Sequence, residues 1–511
     1  MFTTTFGPMF ALGIVALLAL TLPGAPLVSG SSLGPAPSST TVSAKIIAGP
    51  MSEAQTISSK FWGLDIDVSH SFTLADGANI AATPIVYLRY PGGDPAEQFN
   101  DSSNQIFAFD GSVSSAATSI SQFISVCQAI HCHSILQLPT EINSSSTAAY
   151  LVNYIEHHLG YHPDYWEIGN APGSWTHYGI PWSKWGKTGV STIMPSQFPQ
   201  LVHRYITAIR AVDPTTPIMA LGIAVISTYS NPWVSDLTKV DGASLAAVSF
   251  HSYAGRNGTP SPTLQGFFSS LSSIYGLPTV LSREQAAILQ GCPSCTNVKV
   301  IVDEVNAAYA RGTYKQYVAS FDDTLFLGAE ITQGLNNHAY SLEWFDYVGG
   351  YPGGWESSPG HLQSQYYLFK DLATQLRSET LPATVTGPSS LYAAITTNAS
   401  KVAILVVNTN LSKSVSLDLT AAGFAPKATL TELYWPSGQA LPSQKSVSET
   451  SSPVLAPLSM AVFTGPASAG AILPAASSSG PAPAGGAPPL VPQGSWTPSL
   501  TLGVAILGKS D

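Results

Sequence analysis

A chain of 511 residues is longer than one compact domain usually is, so two domains or a large barrel with an appendage are expected. Hydrophobic residues make up 44%, which supplies a sizeable core and excludes wholesale disorder. Charged residues reach only 10%, against ~25% in an average soluble protein, and 30 Asp+Glu outnumber 20 Lys+Arg, so nothing resembles a basic nucleic-acid surface.

In chain order, residues 9–22 form an apolar run ended by Pro23-Gly24 and small residues up to Gly30. Its length suits a signal-peptide core better than the ~20 residues of a membrane span. Residues 1–30 are therefore read as a signal peptide and the chain as secreted, without stable membrane association after cleavage. An uncleaved anchor is the alternative, because Lys or Arg is missing from the first eight residues. Residues 31–56 hold one strand-like stretch, 41–48, expected to join a later sheet.

From 57 to 378, short apolar runs alternate with amphipathic helical stretches. The runs are 62–68, 85–90, 134–138, 165–169, 217–222, 246–251, 298–304 and one near 332–340. The helices are expected at 117–130, 147–158, 195–212, 263–275 and 314–329. Nearly continuous apolar strands separated by helices indicate a covered parallel sheet, and eight of them suggest a (β/α)8 TIM barrel. A doubly wound open sheet is the alternative, but no G-x-G-x-x-G turn follows the first run.

Four cysteines fall in two close pairs, Cys127/Cys132 and Cys292/Cys295, read as local disulfides in a secreted chain. A zinc site built from all four thiolates is the weaker reading at that spacing. Asn-x-Ser/Thr triplets at Asn100, Asn143, Asn257, Asn398 and Asn410 permit glycosylation. Residues 379–466 carry alternating strand patterns at 391–396, 401–408, 414–419, 428–434 and 460–464, a C-terminal β-sandwich. Residues 467–511 are rich in Pro, Ala, Gly and Ser and read as a flexible tail.

Barrel chemistry sits at the C-terminal ends of the strands. The run 298–302 ends in Asp303-Glu304, where carboxylates lose their hydration unless paired or used. A structural ion pair competes with a catalytic reading, although the chain has few cations. The strand at 165–169 leads into Asn170-Ala171-Pro172, a tight turn that projects residue 171 over the barrel mouth. A retaining glycosidase needs two carboxylates about 5 Å apart, one acid and one nucleophile. Alanine serves as neither.

Taken together, these stretches carry a resemblance. YWEIGNAPGSW (165–175) resembles the Gly-Asn-Glu-Pro acid/base motif of glycoside hydrolase clan A. VDEVNAAYARGT (302–313) resembles the nucleophile region of glycoside hydrolase family 79, the β-glucuronidase and heparanase family. FWGLDIDVS (61–69) and YLRYPGG (87–93) resemble that family's first two barrel strands. The resemblance spans about residues 40–466 and implies a retaining β-glucuronidase-like hydrolase acting on β-glucuronide-bearing glycans. It makes Glu304 the nucleophile and Ala171 a vacated acid/base position. Asn170 would meet the sugar 2-hydroxyl, and Tyr309, Tyr351 and the Gly350 amide would hold the uronate carboxylate. Asp67, His251 and Tyr253 are further candidates to line the sugar site.

Loss of a general acid typically costs 10²–10⁴-fold, so reduced or altered activity is expected. Glu167 lies on the same strand as Ala171 but about 13 Å back at ~3.3 Å per residue, so Glu141, after the third barrel run, is the nearest substitute acid. The alternatives are a non-catalytic carbohydrate-binding paralogue and another clan A β-glycosidase. No metal or organic cofactor is implied, because two carboxylates suffice for the reaction.

Overall fold

In the computed structural model the described residues are 40–468, apart from 69, 94–98, 101–104, 108–112, 142–143, 173–192, 194, 225–229, 255–261, 274–275, 309–313, 315, 319, 348–353, 357–359, 399 and 440. The signal-peptide segment, nearly all of the tail, and Tyr309, Gly350 and Tyr351 lie outside them.

Eight parallel strands close into a barrel. They are β1 (Trp62–Asp65), β2 (Tyr87–Tyr90), β3 (His133–Leu138), β4 (Tyr165–Ile168), β5 (Ile218–Ala224), β6 (Ala247–Tyr253), β7 (Lys299–Asn306) and β8 (Ser341–Trp344). Each is followed by at least one helix, so every connection is a βα unit of the TIM-barrel kind. The open-sheet alternative is excluded, since each of the eight strands has two neighbours and β8 pairs with β1 to complete the ring.

The eighth strand departs from the sequence expectation. Residues 332–340 are not a strand: the helix Phe321–Asn336 occupies most of that stretch, and β8 follows at Ser341–Trp344. The helix is buried from Asp323 to Leu335. It lies between the barrel and the sheet strands Leu391–Thr397 and Lys401–Asn408. A helix covered on all sides loses its polar stripe and reads as an apolar run.

Strand alternation sorts the barrel interior into layers. Tyr87, Ile135, Tyr165, Met219, Ala247 and Ile301 form a separate apolar cluster. Two residues further along the strands stand Asp65, Arg89, Gln137, Glu167, Asp303 and Glu343, all buried. Apolar packing fills the lower barrel, and the layer beneath the mouth is charged. Gly63 makes room there, since a Cβ at this position would come 2.2 Å from Glu343 Cγ.

Beyond the barrel, a seven-stranded sheet (order Gln55–Thr56, Glu379–Leu381, Leu391–Thr397, Lys401–Asn408, Ser459–Pro466, Thr429–Trp435, Ser443–Ser448) faces a four-stranded one. Thr41–Ala48 lies in the smaller sheet, antiparallel to Ala383–Thr386 and parallel to Ser414–Ala421. Ile46, Ile395, Ile404, Leu417 and Phe463 fill the space between the sheets. Leu405, Val407, Met460 and Val462 instead join the barrel's main core. The large sheet is therefore buried on both faces, which explains the unbroken apolar run VAILVV from 402 to 407.

Cys127–Cys132 and Cys292–Cys295 are disulfide-bonded. Among the described residues no helix is long and apolar enough to cross a membrane.

One acid pair outside the mouth predicts how stability responds to pH. Burial, then a hydrogen bond shared with Asp213, pushes Glu156 from 4.5 to about 7. Burial opposes the ionised form of Asp213, but hydrogen bonds from Glu156, Thr216 and the Trp166 indole N–H (2.7 Å) hold it below the usual carboxylate range. A raised folded-state value means that the Glu156 contribution is complete below about 4.5 and lost as pH rises through about 7. Thermal midpoints should therefore fall between pH 5 and 8, by an amount worth a few kcal/mol at most. Glu156→Gln, which cannot ionise, should flatten that fall; an unchanged slope would rule the pair out as its source.

Candidate active site

The charged layer converges on Arg89, which is fully buried at the centre of the barrel. Its Nε and Nη2 donate to the two oxygens of Glu167, at 2.6 and 3.1 Å, a bidentate pair. Nη1 donates to Asp65 Oδ1 and to Glu304 Oε1, both at 3.1 Å, and Nη2 also reaches Asn170 Oδ1 at 2.9 Å. Asp303 Oδ2 lies 3.6 Å from Nη2. One guanidinium thus organises four carboxylates and the Asn170 amide, from β1, β4, β7 and the turn after β4.

Consecutive strand residues normally face opposite sides of a sheet. The β6–β7 ladder pairs Phe250 with Val302 and then His251 with Glu304, so Asp303 is the extra residue of a bulge. That irregularity lets both Asp303 and Glu304 approach Arg89. It is the local reason why Glu304 is presented toward the mouth.

Glu304 is 5% exposed and held at both oxygens. Arg89 takes Oε1. The Tyr253 hydroxyl donates to Oε2 at 2.6 Å, and His251 Nδ1 lies 3.2 Å from the same atom. A carboxylate held by a cation and a phenol has one orientation, which suits it to in-line attack. The structural ion pair weighed from sequence exists, and its cation is Arg89.

Several carboxyl groups around one cation force some protons to stay. Burial, reinforced by Glu304, Glu343 and Asp303, pushes Asp65 well above its usual range despite Arg89. Burial, with Glu167, Glu304 and Glu343, does the same to Asp303. Burial raises Glu343 to about 8. Asp346, just past β8, is raised by burial and by Asp67 and Glu304. Burial works against the charge on Arg89, but Glu167, Asp65, Asp303 and Glu304 hold it protonated.

Asn170 is 1% exposed at the end of β4. Ala171 has a left-handed backbone, φ 45°, and its N–H donates to the Gly222 carbonyl at 2.8 Å. A non-glycine residue in that region carries backbone strain, a feature concentrated at functional sites. Asp67 follows β1 and Glu141 follows β3, both nearly buried. The structure therefore gathers Glu304, Asn170, His251 and Tyr253 around Arg89. Asp67 is close enough to Asp346 to raise its titration.

Sequence reasoning missed Arg89, Asp65 and Glu343, and weighed Glu167 only as an acid. A signal existed. WGLD, YLRY and SLEW each place a charge at the second inward position of a short barrel strand, where only mutual pairing makes it tolerable. A cavity of about 780 Å³ lined by Phe61, Val298, Val300 and Tyr340 lies at the opposite, N-terminal end of the barrel, away from this cluster.

No protein-family model and no curated protein sequence matches the chain. Solved structures do match. A Paenibacillus polymyxa xyloglucanase of glycoside hydrolase family 44, determined with xyloglucan, superposes with a TM-score of 0.64 at 10% identity, covering 83% of this chain and 100% of that one. An α-L-arabinofuranosidase from Thermotoga maritima gives 0.64 at 15% identity with the same coverage. A family 51 α-L-arabinofuranosidase from Bifidobacterium longum gives 0.64 at 14%, covering 84% of this chain and 100% of that one. At such identities the likeness is one of fold: a TIM barrel with an added sheet domain, shared with glycoside hydrolases.

Proposed function

We propose that the chain is a secreted, retaining β-glycosidase acting on β-glucuronides of glycans, with Glu304 as its covalent nucleophile. The observation that carries the reading is the setting of Glu304: a carboxylate on β7, at the mouth of a barrel, oriented by Arg89, Tyr253 and His251. The glycoside hydrolases that share the fold support the reaction class. Preference for a uronate rests on the family 79 resemblance, through Tyr309, Tyr351 and the Gly350 amide.

In the first step a Glu304 oxygen attacks the anomeric carbon, the bond to the leaving oxygen breaks, and that oxygen takes up a proton. The product is a glycosyl ester on Glu304. In the second step water, losing a proton to a base, attacks the same carbon and releases the carboxylate. Asn170, whose Oδ1 accepts from Arg89, meets the sugar 2-hydroxyl in this reading. The unionisable side chain of Ala171 favours a second reading, a carbohydrate-binding paralogue without turnover.

An activated 2-deoxy-2-fluoro β-glucuronide separates the two. The expected result is covalent labelling of a peptide containing Glu304, with aryl β-glucuronides processed in preference to the matching glucosides and xylosides. Binding without labelling would favour the paralogue. Equal processing of glucosides would remove the uronate assignment while leaving the glycosidase.

A further inference from the structure

We propose that Glu141 performs the proton transfers that Ala171 cannot. This rests on the glycosidase reading above, and it assigns the missing acid/base to the strand next door. The β3–β4 ladder pairs Leu138 with Ile168. Glu141 and Ala171 each stand three residues beyond that pair, in the loops that leave two neighbouring strands about 4.8 Å apart. The two chain ends stay joined past the ladder, because the Gly169 N–H donates to Thr140 Oγ1 at 2.9 Å. The Tyr205 hydroxyl braces the same loop, donating to the carbonyls of Pro139 and Thr140. Glu141 is 3% exposed and Ala171 5%, which puts a nearly buried carboxyl group beside a side chain too short to fill an acid's place.

Among the described residues, the other acids near the mouth lie deeper in the barrel or on the side of Glu304. Asp65, Glu167 and Asp303 surround Arg89, and Glu343 lies in the same layer, all four fully buried below the level of Glu141. Asp346 and Asp67 follow β8 and β1, the two strands after β7 around the barrel. Glu304 is on β7, whereas β3 and β4 lie across the barrel from it. An acid and a nucleophile must flank the scissile bond, and among the described residues Glu141 is the carboxyl group that the topology sets opposite Glu304.

The chemistry balances without a further reactant. Protonated Glu141 gives its proton to the glycosidic oxygen as the bond to the anomeric carbon breaks and Glu304 forms the ester. The resulting Glu141 carboxylate then takes a proton from water, whose oxygen attacks the anomeric carbon and frees Glu304.

Glu141→Gln, Ala171→Glu and the double variant are compared on a methyl β-glucuronide and on a 2,4-dinitrophenyl β-glucuronide, with the matching glucosides and xylosides alongside. Expected for Glu141→Gln is a 10²–10⁴-fold loss on the methyl glycoside and a much smaller loss in the first step on the dinitrophenyl one. Azide should accelerate turnover of this variant, giving a β-glycosyl azide, and leave the unmodified chain unaffected. The basic limb of the pH–rate profile should disappear. Trapping by the activated 2-fluoro glycoside, which needs Glu304 alone, should persist and so show that the variant is folded. Ala171→Glu introduced into Glu141→Gln should restore the methyl glycoside activity, because both positions address one oxygen. Unchanged methyl glycoside turnover in Glu141→Gln overturns the assignment, as does an equal loss on both leaving groups without azide rescue. If the unmodified chain neither labels nor hydrolyses any glycoside, the glycosidase reading and this assignment fall together.

Discussion

Glu304→Gln should lower turnover of any substrate by roughly 10⁴- to 10⁶-fold, the scale on which removal of a covalent nucleophile is felt, while leaving the fold as stable as before or more so. The two halves of that expectation have one cause. Gln keeps an oxygen for Arg89 Nη1 and a polar group near the Tyr253 hydroxyl, which now stand 3.1 and 2.6 Å from Glu304. It removes one negative charge from a site where Asp65, Asp303 and Glu343 already titrate high through burial and mutual repulsion. An amide cannot attack carbon as a carboxylate does, so ester formation stops. Stopped-flow rates on an activated glucuronide measure the first half and thermal unfolding at pH 7 the second. A variant that keeps a tenth of its activity would remove Glu304 from the mechanism. One that melts well below the parent chain would show that Glu304 serves the fold.

Arg89→Met should act the other way, on stability before activity. The methionine chain fills much of the arginine's stem volume, so the loss is chiefly the guanidinium. Its removal strands Glu167, Asp65, Asp303 and Glu304 at positions almost closed to solvent. Breaking a buried ion pair on one side costs about 3–5 kcal/mol, a large part of the 5–15 kcal/mol that holds a domain folded. Without the cation, the carboxyl groups are protonated more readily in the folded state. Groups so raised stabilise at low pH, and their contribution is lost as pH rises through the folded-state value. The deficit of Arg89→Met should thus be smallest near pH 4–5 and grow toward pH 8, read by urea unfolding at each pH. A deficit independent of pH would mean that packing, not charge, is what Arg89 supplies.

The barrel was legible because its strands are apolar runs of the right length, and Glu304, the proposed nucleophile, stood out because an acidic pair ends one of them. The charged layer was hidden for a geometric reason. Asp65, Arg89, Glu167, Asp303 and Glu343 are scattered from β1 to β8, one to a strand, and meet only when the sheet closes. Glu304 was found on context, yet the bulge at Asp303 that turns it inward leaves no trace in composition or periodicity. The eighth strand was shifted because the helix before it is wrapped by barrel and sandwich, and a four-residue strand with a glutamate inside it carries little pattern of its own.

Thr41–Ala48 has a consequence for how the chain reaches its fold. Its partners are Ala383–Thr386 and Ser414–Ala421, and 341 residues separate Lys45 from Thr386. At ~5–20 residues per second of synthesis, that strand waits roughly 20–70 s for its neighbours. Throughout that interval Ile46, destined for full burial, is an open β-edge on a nascent chain. The smaller sheet can close only once its late strands exist, and the chain's first strand is then seated between two of them. The sandwich thus ties the beginning of the fold to the end of its synthesis, whereas the barrel can pair each strand soon after the last.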